Sequence, residues 1–364
     1  MADKHKQNSA NSSNPQILGE SGKRIIFIDV SRGLLIAWMI ISHSLGRAQI
    51  SGDHILQWFR PHGWATFGFV MISGFSLGYL FKQTNDNKIS LRSKIWKRAF
   101  QIGAAAYFSN LAFLTAKAYL SGDFNIMLFF NIASFQHPWG YSAILIPTTL
   151  LLLIAPFLLN IASRHQPSYL LIVTTIIISI VDTLLQTAPS SWQLNPFFQA
   201  LFLRNDLTIF PIGSLLLYAI WTFFFANWLK HPSSQKHKWI ITVIAGCILF
   251  TYIRTITPYS SSNPGFFAVA SRFPIILIIG IAICNMPFLT TIRNALGRMG
   301  RSALLVYIFH RPFLQLLDVS LSGSLTKIEL ACTLMLICLA VSITICILKE
   351  RNPGFRRRLK LIGF

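Results

Sequence analysis

The sequence predicts an all-α, polytopic membrane protein, a bundle of about ten transmembrane helices with both the N- and C-termini in the cytoplasm. Its apolar composition and the distribution of its Lys and Arg residues support this prediction. Of the 364 residues, 53% are hydrophobic and only 12% are charged, and the mean hydropathy is +0.54. A soluble core does not require so large an apolar fraction. Helices are favoured over strands because each helix satisfies its own backbone polar groups in lipid.

Ten apolar segments are long enough to span a bilayer, which requires about 20 helical residues at a rise of ~1.5 Å each. These segments are uniformly apolar, unlike the alternating strands of an outer-membrane barrel. In chain order they are residues 25–44, 64–82, 99–119, 141–162, 168–187, 207–229, 239–257, 266–285, 302–318 and 327–348.

The basic residues predict the orientation of the bundle. With the N-terminus in the cytoplasm and the segments alternating, 23 Lys and Arg residues fall inside and eight fall outside. This bias agrees with the positive-inside rule, and an odd number of spans would break it. The formal charge of +21 is therefore assigned mainly to cytoplasmic loops beside anionic lipid, and nucleic-acid binding is not expected.

The chain divides into three predicted parts. Residues 1–23 are polar, rich in Ser and Asn and without an apolar core, which predicts a disordered cytoplasmic leader and not a signal peptide. Residues 24–348 are predicted to form the ten-helix transmembrane domain, and residues 349–364 a basic cytoplasmic tail. The run RNPGFRRRLK in this tail is expected at the membrane surface, and the alternative is a role in holding an anionic cofactor. The five cysteines lie in predicted spans without CxxC or ligand-spaced His, so neither a disulfide nor a metal site is expected.

The first predicted span contains Asp29, Arg32 and His43, although an ionised group near the bilayer centre costs roughly 2.5–3.5 kcal/mol. Asp29 and Arg32 are three residues apart and can touch on a helix. Arg32 and His43 are eleven apart, which places them on the same face about 16 Å apart along the axis. The simplest arrangement is one polar stripe facing a protein-lined cavity. The alternative is a buried ion pair near the inner interface and a histidine that reaches the outer one.

A stripe with an arginine at its cytoplasmic end and a titratable base at its outer end suits an anionic carrier that enters from the cytoplasm. The carrier would present its reactive end near the far leaflet. Imidazole is suited to the task of a base because its unperturbed pKa of about 6.5 is close to working pH.

Four stretches resemble the motifs of acyltransferase family 3, a superfamily of membrane acyltransferases. RIIFIDVSRGLLIAWMIISH, residues 24–43, is similar to the opening motif of that family, with Arg32 and His43 at its R-x10-H spacing. GFVMISGFSLGYLF, residues 68–81, resembles the motif of its second span. KIWKRAF, residues 94–100, resembles the basic start of its third. LGRMGRSALLVYIFHRPFL, residues 296–314, resembles a late helix that carries a Tyr-x-x-His ending.

This resemblance implies an O-acyltransferase of the bacterial inner membrane, with acetyl-CoA as the acyl donor and no metal. The acceptor would be a sugar hydroxyl of an extracytoplasmic glycan or lipid-linked saccharide, such as lipopolysaccharide O-antigen. The OpgC-type subgroup, which succinylates periplasmic glucans, is a near relative, so succinyl transfer is an alternative.

The resemblance also implies roles for individual residues. His43 would act as general base or as nucleophile, Arg32 would contact the carrier, and Asp29 would keep Arg32 charged and oriented. The residues expected to bind the donor are Arg32, Ser73, Lys97, Arg98, Arg298 and Arg301. Those expected to bind the acceptor are His310, Trp64, Trp139 and His62. The competing explanation for the basic residues is a solvated cytoplasmic face. The competing explanation for the tryptophans is an aromatic belt at the membrane interface.

A hypothesis from another class is a proton-coupled transporter or exporter of a glycan or small anion, in which the same three residues relay protons. Transporters often show repeats with helices broken at corresponding places in the two halves. No such symmetry is visible here, and the polar residues are concentrated in one segment, which favours the enzyme. The sequence leaves the oligomeric state open.

Overall fold

The computed structural model describes residues 25–50, 64–80, 88–120, 124–133, 144–186, 212–230, 266–321 and 323–361, together with residues 122, 238, 242, 245 and 246. These residues form α-helices and one 3₁₀ turn, Pro287–Leu289, and no strand occurs among them. The α-helices are α1 (Ile26–Arg47), α2 (Trp64–Leu80), α3 (Lys88–Leu120), α4 (Ile126–Ala133), α5 (Leu145–Arg164), α6 (Pro167–Gln186), α7 (Ile212–Lys230), α8 (Phe266–Asn285), α9 (Thr290–Arg301), α10 (Ala303–Leu321), α11 (Lys327–Arg351) and α12 (Pro353–Leu361).

Most of the predicted spans coincide with a helix. The exception is residues 239–257, most of which lie outside the described residues, as does the predicted leader. Within the described part of the chain, six helices are long and apolar enough to cross a membrane. The number rises to seven if α8 and α9, which meet at an angle of 97°, are counted as one broken span. The molecule is therefore an all-α, polytopic membrane protein.

The structure corrects one boundary and adds helices that apolarity could not predict. Residues 82–98 were expected to form a loop, but α3 already begins at Lys88 and includes the basic residues from there on. The stretch from Lys88 to Arg98 contains neither Gly nor Pro, so it continues the helix beyond the apolar segment. Helices α9 and α12 are amphipathic and rich in arginine. A prediction based on long apolar segments does not detect such helices.

Helix α1 lies at the centre of the bundle and packs against α2, α8, α9, α10 and α11. The crossing with α9 is close because a glycine lies on each side of it. A Cβ at Gly33 would overlap the carbonyl oxygen of Leu296, and a Cβ at Gly300 would overlap that of Asp29. This contact between backbones places the arginines of α9 beside the polar end of α1.

A second close contact joins α2 to α7. Gly74 and Gly78 are four residues apart on α2, and a Cβ at either would overlap a carbonyl oxygen of α7. The Thr222 hydroxyl of α7 donates to the Met71 carbonyl oxygen across a distance of 2.8 Å. This small-x-x-x-small arrangement is common where membrane helices pack closely.

The far end of α1 is tied to the far end of α10. Arg47 Nη1 lies 3.1 Å from Asp318 Oδ2, and both side chains are partly buried. Helix α11 then begins with a capping box, in which Thr326 and Glu329 satisfy each other's backbone N–H groups. The ion pair holds α1 and α10 side by side about one turn beyond His43 and about two turns beyond His310.

Candidate active site

His43 of α1 and His310 of α10 form a stacked pair inside the bundle. Their ring centroids are 5.4 Å apart, with 26° between the ring planes. His310 has no exposed surface, and its Nδ1 lies 3.2 Å from the Val306 carbonyl oxygen. Because a carbonyl only accepts, Nδ1 of His310 carries the proton, and Nε2 of the neutral ring is an acceptor. That Nε2 is buried and has no hydrogen-bond partner among the described residues.

Two aromatic rings lie next to the histidine pair. The Tyr307 ring is 5.7 Å from the His310 ring and 5.9 Å from the Phe69 ring, with which it is stacked. Both aromatic side chains are buried, and the backbone of Ile144 is hydrogen-bonded to the Tyr307 hydroxyl. The rings therefore continue from the histidines toward α2 and α5.

At the other end of α1, Arg32 is held at two points. Its Nη1 lies 3.6 Å from Asp29 Oδ1, as the three-residue spacing predicts. Its Nη2 donates to the Ser76 hydroxyl of α2 across 2.7 Å, and that hydroxyl donates in turn to the Ile72 carbonyl oxygen. The Arg32 and Asp29 side chains are only 22% and 14% exposed, so the pair is largely shielded from solvent. A paired charge is far less costly in such surroundings than a lone one.

Two adjoining cavities open beside Arg32. The inner cavity, of about 250 Å³, extends between α2, α3, α5 and α10 and includes Ser73, Ser76 and Phe69 in its lining. The mouth, of about 860 Å³, lies at the beginning of α1 and the end of α11. The two cavities share the lining residues Arg32, Leu80, Arg98, Arg301, Ser302 and Lys349. They therefore form one path, with Arg32 at the junction.

The inner cavity reaches Phe69 but not the histidines. Phe69 lines it, whereas His43 and His310 do not, and Tyr307 stands between Phe69 and His310. The Phe69–Tyr307 pair thus separates the cavity from the imidazoles in this conformation.

The residues predicted to bind a donor are distributed unevenly. Arg98 and Arg301 line both cavities, and Ser73 lines the inner one. Lys97 is exposed and lines neither, since one residue turns a helix by about 100°. Arg298 also lies outside both linings and pairs with Glu350 of α11 at 3.1 Å.

Glu350 also holds Arg301, whose Nη2 is 2.6 Å from the carboxylate. One carboxylate therefore bridges two arginines of α9 and joins α9 to α11. Of the predicted acceptor residues, His310 contacts His43, whereas His62, Trp139 and the side chain of Trp64 lie outside the described residues.

The structure adds four residues that sequence reasoning did not select: Ser76, Ser302, Lys349 and Arg356. Ser76 follows Ser73 by three residues, a spacing that could have indicated a shared helix face. Lys349 had been counted only as a contribution to the inside charge. Arg356 belongs to the basic tail, for which a role in holding an anionic cofactor was the alternative to a place at the membrane surface.

Fold and site together define a polytopic membrane protein with a cation-lined cavity at one end of its central helix and, toward the other, a histidine pair of which His310 is fully buried. A family model, that of the acyltransferase domain of acyltransferase family 3, matches residues 25–351. The chain therefore belongs to this family and is a membrane acyltransferase. No curated protein matches it. The family predicted from the motifs of residues 24–43, 68–81, 94–100 and 296–314 is confirmed.

Proposed function

We propose that this membrane acyltransferase moves an acetyl group from cytoplasmic acetyl-CoA to a sugar hydroxyl of an extracytoplasmic glycan, such as lipopolysaccharide O-antigen, in the bacterial inner membrane. The observation that supports the proposal most is the arrangement along α1. Arg32 faces a cation-lined cavity, and His43, about 16 Å further along the helix, faces a second buried imidazole.

The mouth is suited to the phosphates of a CoA donor. Arg98, Arg301 and Lys349 surround it, and Arg32 stands where it meets the inner cavity. Guanidinium groups bind phosphate through paired, charge-assisted hydrogen bonds. The part of the inner cavity that is lined by Ile102, Leu145 and Leu304 then accommodates the uncharged arm of the donor.

The histidine pair is suited to the proton transfer of the reaction. The acceptor hydroxyl oxygen attacks the thioester carbonyl carbon, and His43 takes the hydroxyl proton. The C–O bond of the ester forms, the C–S bond breaks, and the thiolate leaves with the electron pair. The proton held by His43 can then return to the thiolate, which completes the balance. Stacked imidazoles do not hydrogen-bond to each other through their in-plane nitrogens, so His310 can share that proton only through a bridging hydroxyl. Its buried Nε2, which has no partner among the described residues, is available to such a hydroxyl.

Ser73 was expected at the site of the acyl donor. Its hydroxyl proton, however, is already used in a hydrogen bond within its own helix. Its hydroxyl donates to the Phe69 carbonyl oxygen of its own helix across 2.9 Å. To stabilise an oxyanion it would first have to release that bond. The Ser76 hydroxyl likewise donates to a backbone carbonyl, that of Ile72, but it also accepts from Arg32 and so orients the guanidinium.

The test is acyl transfer by the purified protein and by its His43→Ala variant. With radiolabelled acetyl-CoA and surface glycan, the wild type is expected to produce labelled glycan. The variant should be slower by about 10²–10⁴, the usual contribution of a general base. Circular dichroism and gel filtration serve as controls for folding.

Unchanged activity of His43→Ala would exclude His43 as the base. Labelled product from succinyl-CoA alone would replace acetyl with succinyl as the transferred group. Flux of a glycan across liposomes without any ester formation would exclude the proposed reaction.

A further inference from the structure

Helix α12 lies beyond residues 25–351, the part of the chain that the family model matches, yet it returns to the mouth. The chain turns at Asn352, whose side-chain oxygen accepts a hydrogen bond of 3.0 Å from the Phe355 N–H group. Leu359, one turn after Phe355, is buried and anchors the helix against the bundle. Helix α12 is therefore a packed element of the structure.

Arg356 is the residue of α12 that reaches the mouth. Its Nε donates to the Lys349 carbonyl oxygen at 3.2 Å, and its Nη2 donates to the Glu350 carbonyl oxygen at 2.8 Å. These two bonds cap the end of α11 and fix the position of the guanidinium. A guanidinium has five N–H donors, so three remain for a ligand in the mouth.

The charge of the mouth indicates what that ligand must be. Among the described residues that line it, five are cationic: Arg32, Arg98, Arg301, Lys349 and Arg356. Only Asp29 and Glu350 are anionic, and both already bind arginines. The excess of cations is confined to a cavity of about 860 Å³, where a multiply charged anion would balance it.

We infer that Arg356 is a phosphate-binding residue through which α12 completes the mouth, and that its ligand is the phosphorylated nucleotide end of the acyl donor. The nucleotide as the source of the phosphate rests on the proposed function. The phosphate chemistry itself rests on the geometry of the mouth. An anionic lipid headgroup offers the same chemistry, and the experiment separates the two sources.

Helix α12 provides its own controls. Arg357 and Arg358 follow Arg356 directly and are exposed, as Arg356 is, but they lie outside the lining of the mouth. Each carries the same charge on the same short helix. A general attraction between the basic tail and an anion would therefore involve all three arginines equally, whereas a site in the mouth involves Arg356 alone.

The experiment measures binding of CoA and of adenosine 3′,5′-bisphosphate to the full chain in nanodiscs of neutral phosphatidylcholine. Arg356→Ala should weaken the binding of both probes about tenfold, the effect of losing one charge-assisted hydrogen bond. Arg356→Lys should lie between this variant and the wild type, because it keeps the charge but not the fork of donors. Arg357→Ala should bind as the wild type does, and thermal melts verify that each variant is folded.

Equal affinities of Arg356→Ala and Arg357→Ala would overturn the inference, as would a wild type that binds neither probe. A second arm adds phosphatidylglycerol to the nanodiscs. If phosphatidylglycerol raises the melting temperature of the wild type but not that of Arg356→Ala, and this variant binds CoA normally, the ligand of Arg356 is the lipid headgroup and not the nucleotide. The inference and the proposed function can also fail separately. If Arg356→Ala weakens CoA binding but the wild type acylates no glycan, the inference holds and the proposed function is wrong.

Discussion

The orientation of the His310 ring is fixed because its Nδ1 lies 3.2 Å from the Val306 carbonyl oxygen, one turn earlier on α10. Its other nitrogen, Nε2, is buried and has no hydrogen-bond partner in the described part of the chain. A buried polar atom without a partner is costly, of order 1–3 kcal/mol, so a ligand or a proton at this position would relieve the cost. The stacked ring of His43 is the nearest group that the proposed reaction uses.

Two substitutions at His310 test whether its Nε2 must carry a proton or need only accept a hydrogen bond. Asn can place an amide N–H where Nδ1 lies, and Gln can place an oxygen or nitrogen where Nε2 lies, but neither can carry a proton at neutral pH. If Nε2 shares the proton taken by His43, both variants should lower kcat about 10²-fold with little change in KM for the donor. Steady-state kinetics of the purified variants measures this. Near-normal activity of His310→Gln would instead show that accepting a hydrogen bond is sufficient.

Helical geometry predicted the part of the site that lies on one helix. The spacing of Asp29 and Arg32 predicted their contact, and the structure has it at 3.6 Å. Ser76 is 44 residues from Arg32 in the chain, and Arg356 reaches the mouth only because α12 folds back. Such contacts depend on how distant helices pack, which spacing within one segment does not determine.

At the scale of elements, the closeness of α1 and α9 depends on glycine. A Cβ at Gly300 would overlap the Asp29 carbonyl oxygen, whereas a Cβ at Gly297, one turn earlier, would meet its nearest neighbour, Arg301 Nη1, at 3.5 Å, an ordinary contact. The two positions therefore form a matched pair on the same helix.

Gly300→Ala is expected to destabilise the protein by about 1–3 kcal/mol, because the added methyl group forces the backbones of α1 and α9 apart. Gly297→Ala should be neutral or stabilising by up to ~1 kcal/mol, since alanine favours the helix. Thermal unfolding in detergent, followed by circular dichroism, compares the two. Equal melting temperatures would show that the α1–α9 contact does not limit stability.

Apolarity predicted the long apolar helices better than the short polar ones. Helices α1, α5 and α11 coincide with predicted spans because each is at least 20 residues long and predominantly apolar. Helix α9 lies between the predicted spans 266–285 and 302–318 because most of its residues are polar, although its second half belongs to the stretch 296–314 that resembles a late helix. Its helical form depends on packing against α1, which composition does not reveal.

At the scale of the whole molecule, the proposed reaction requires the mouth and the histidine pair to face opposite sides of the membrane. Arg32 and His43 lie toward opposite ends of α1, and α10 runs in the same direction, from Ser302 at the mouth to Asp318 beside Arg47. The bias of 23 inside to eight outside basic residues predicts that the mouth faces the cytoplasm. The same prediction puts the turn between α10 and α11 on the outer side.

Single cysteines in a cysteine-free background test this orientation. Ser324→Cys, in the exposed turn before α11, should react with a membrane-impermeant maleimide in intact cells. Arg357→Cys, exposed on α12 beside the mouth, should react only after the inner membrane is permeabilised. The control is that both thiols react fully in detergent. The reverse pattern would place the mouth outside, where acyl-CoA is absent, and would exclude a cytoplasmic donor, because a helix bundle does not invert during turnover.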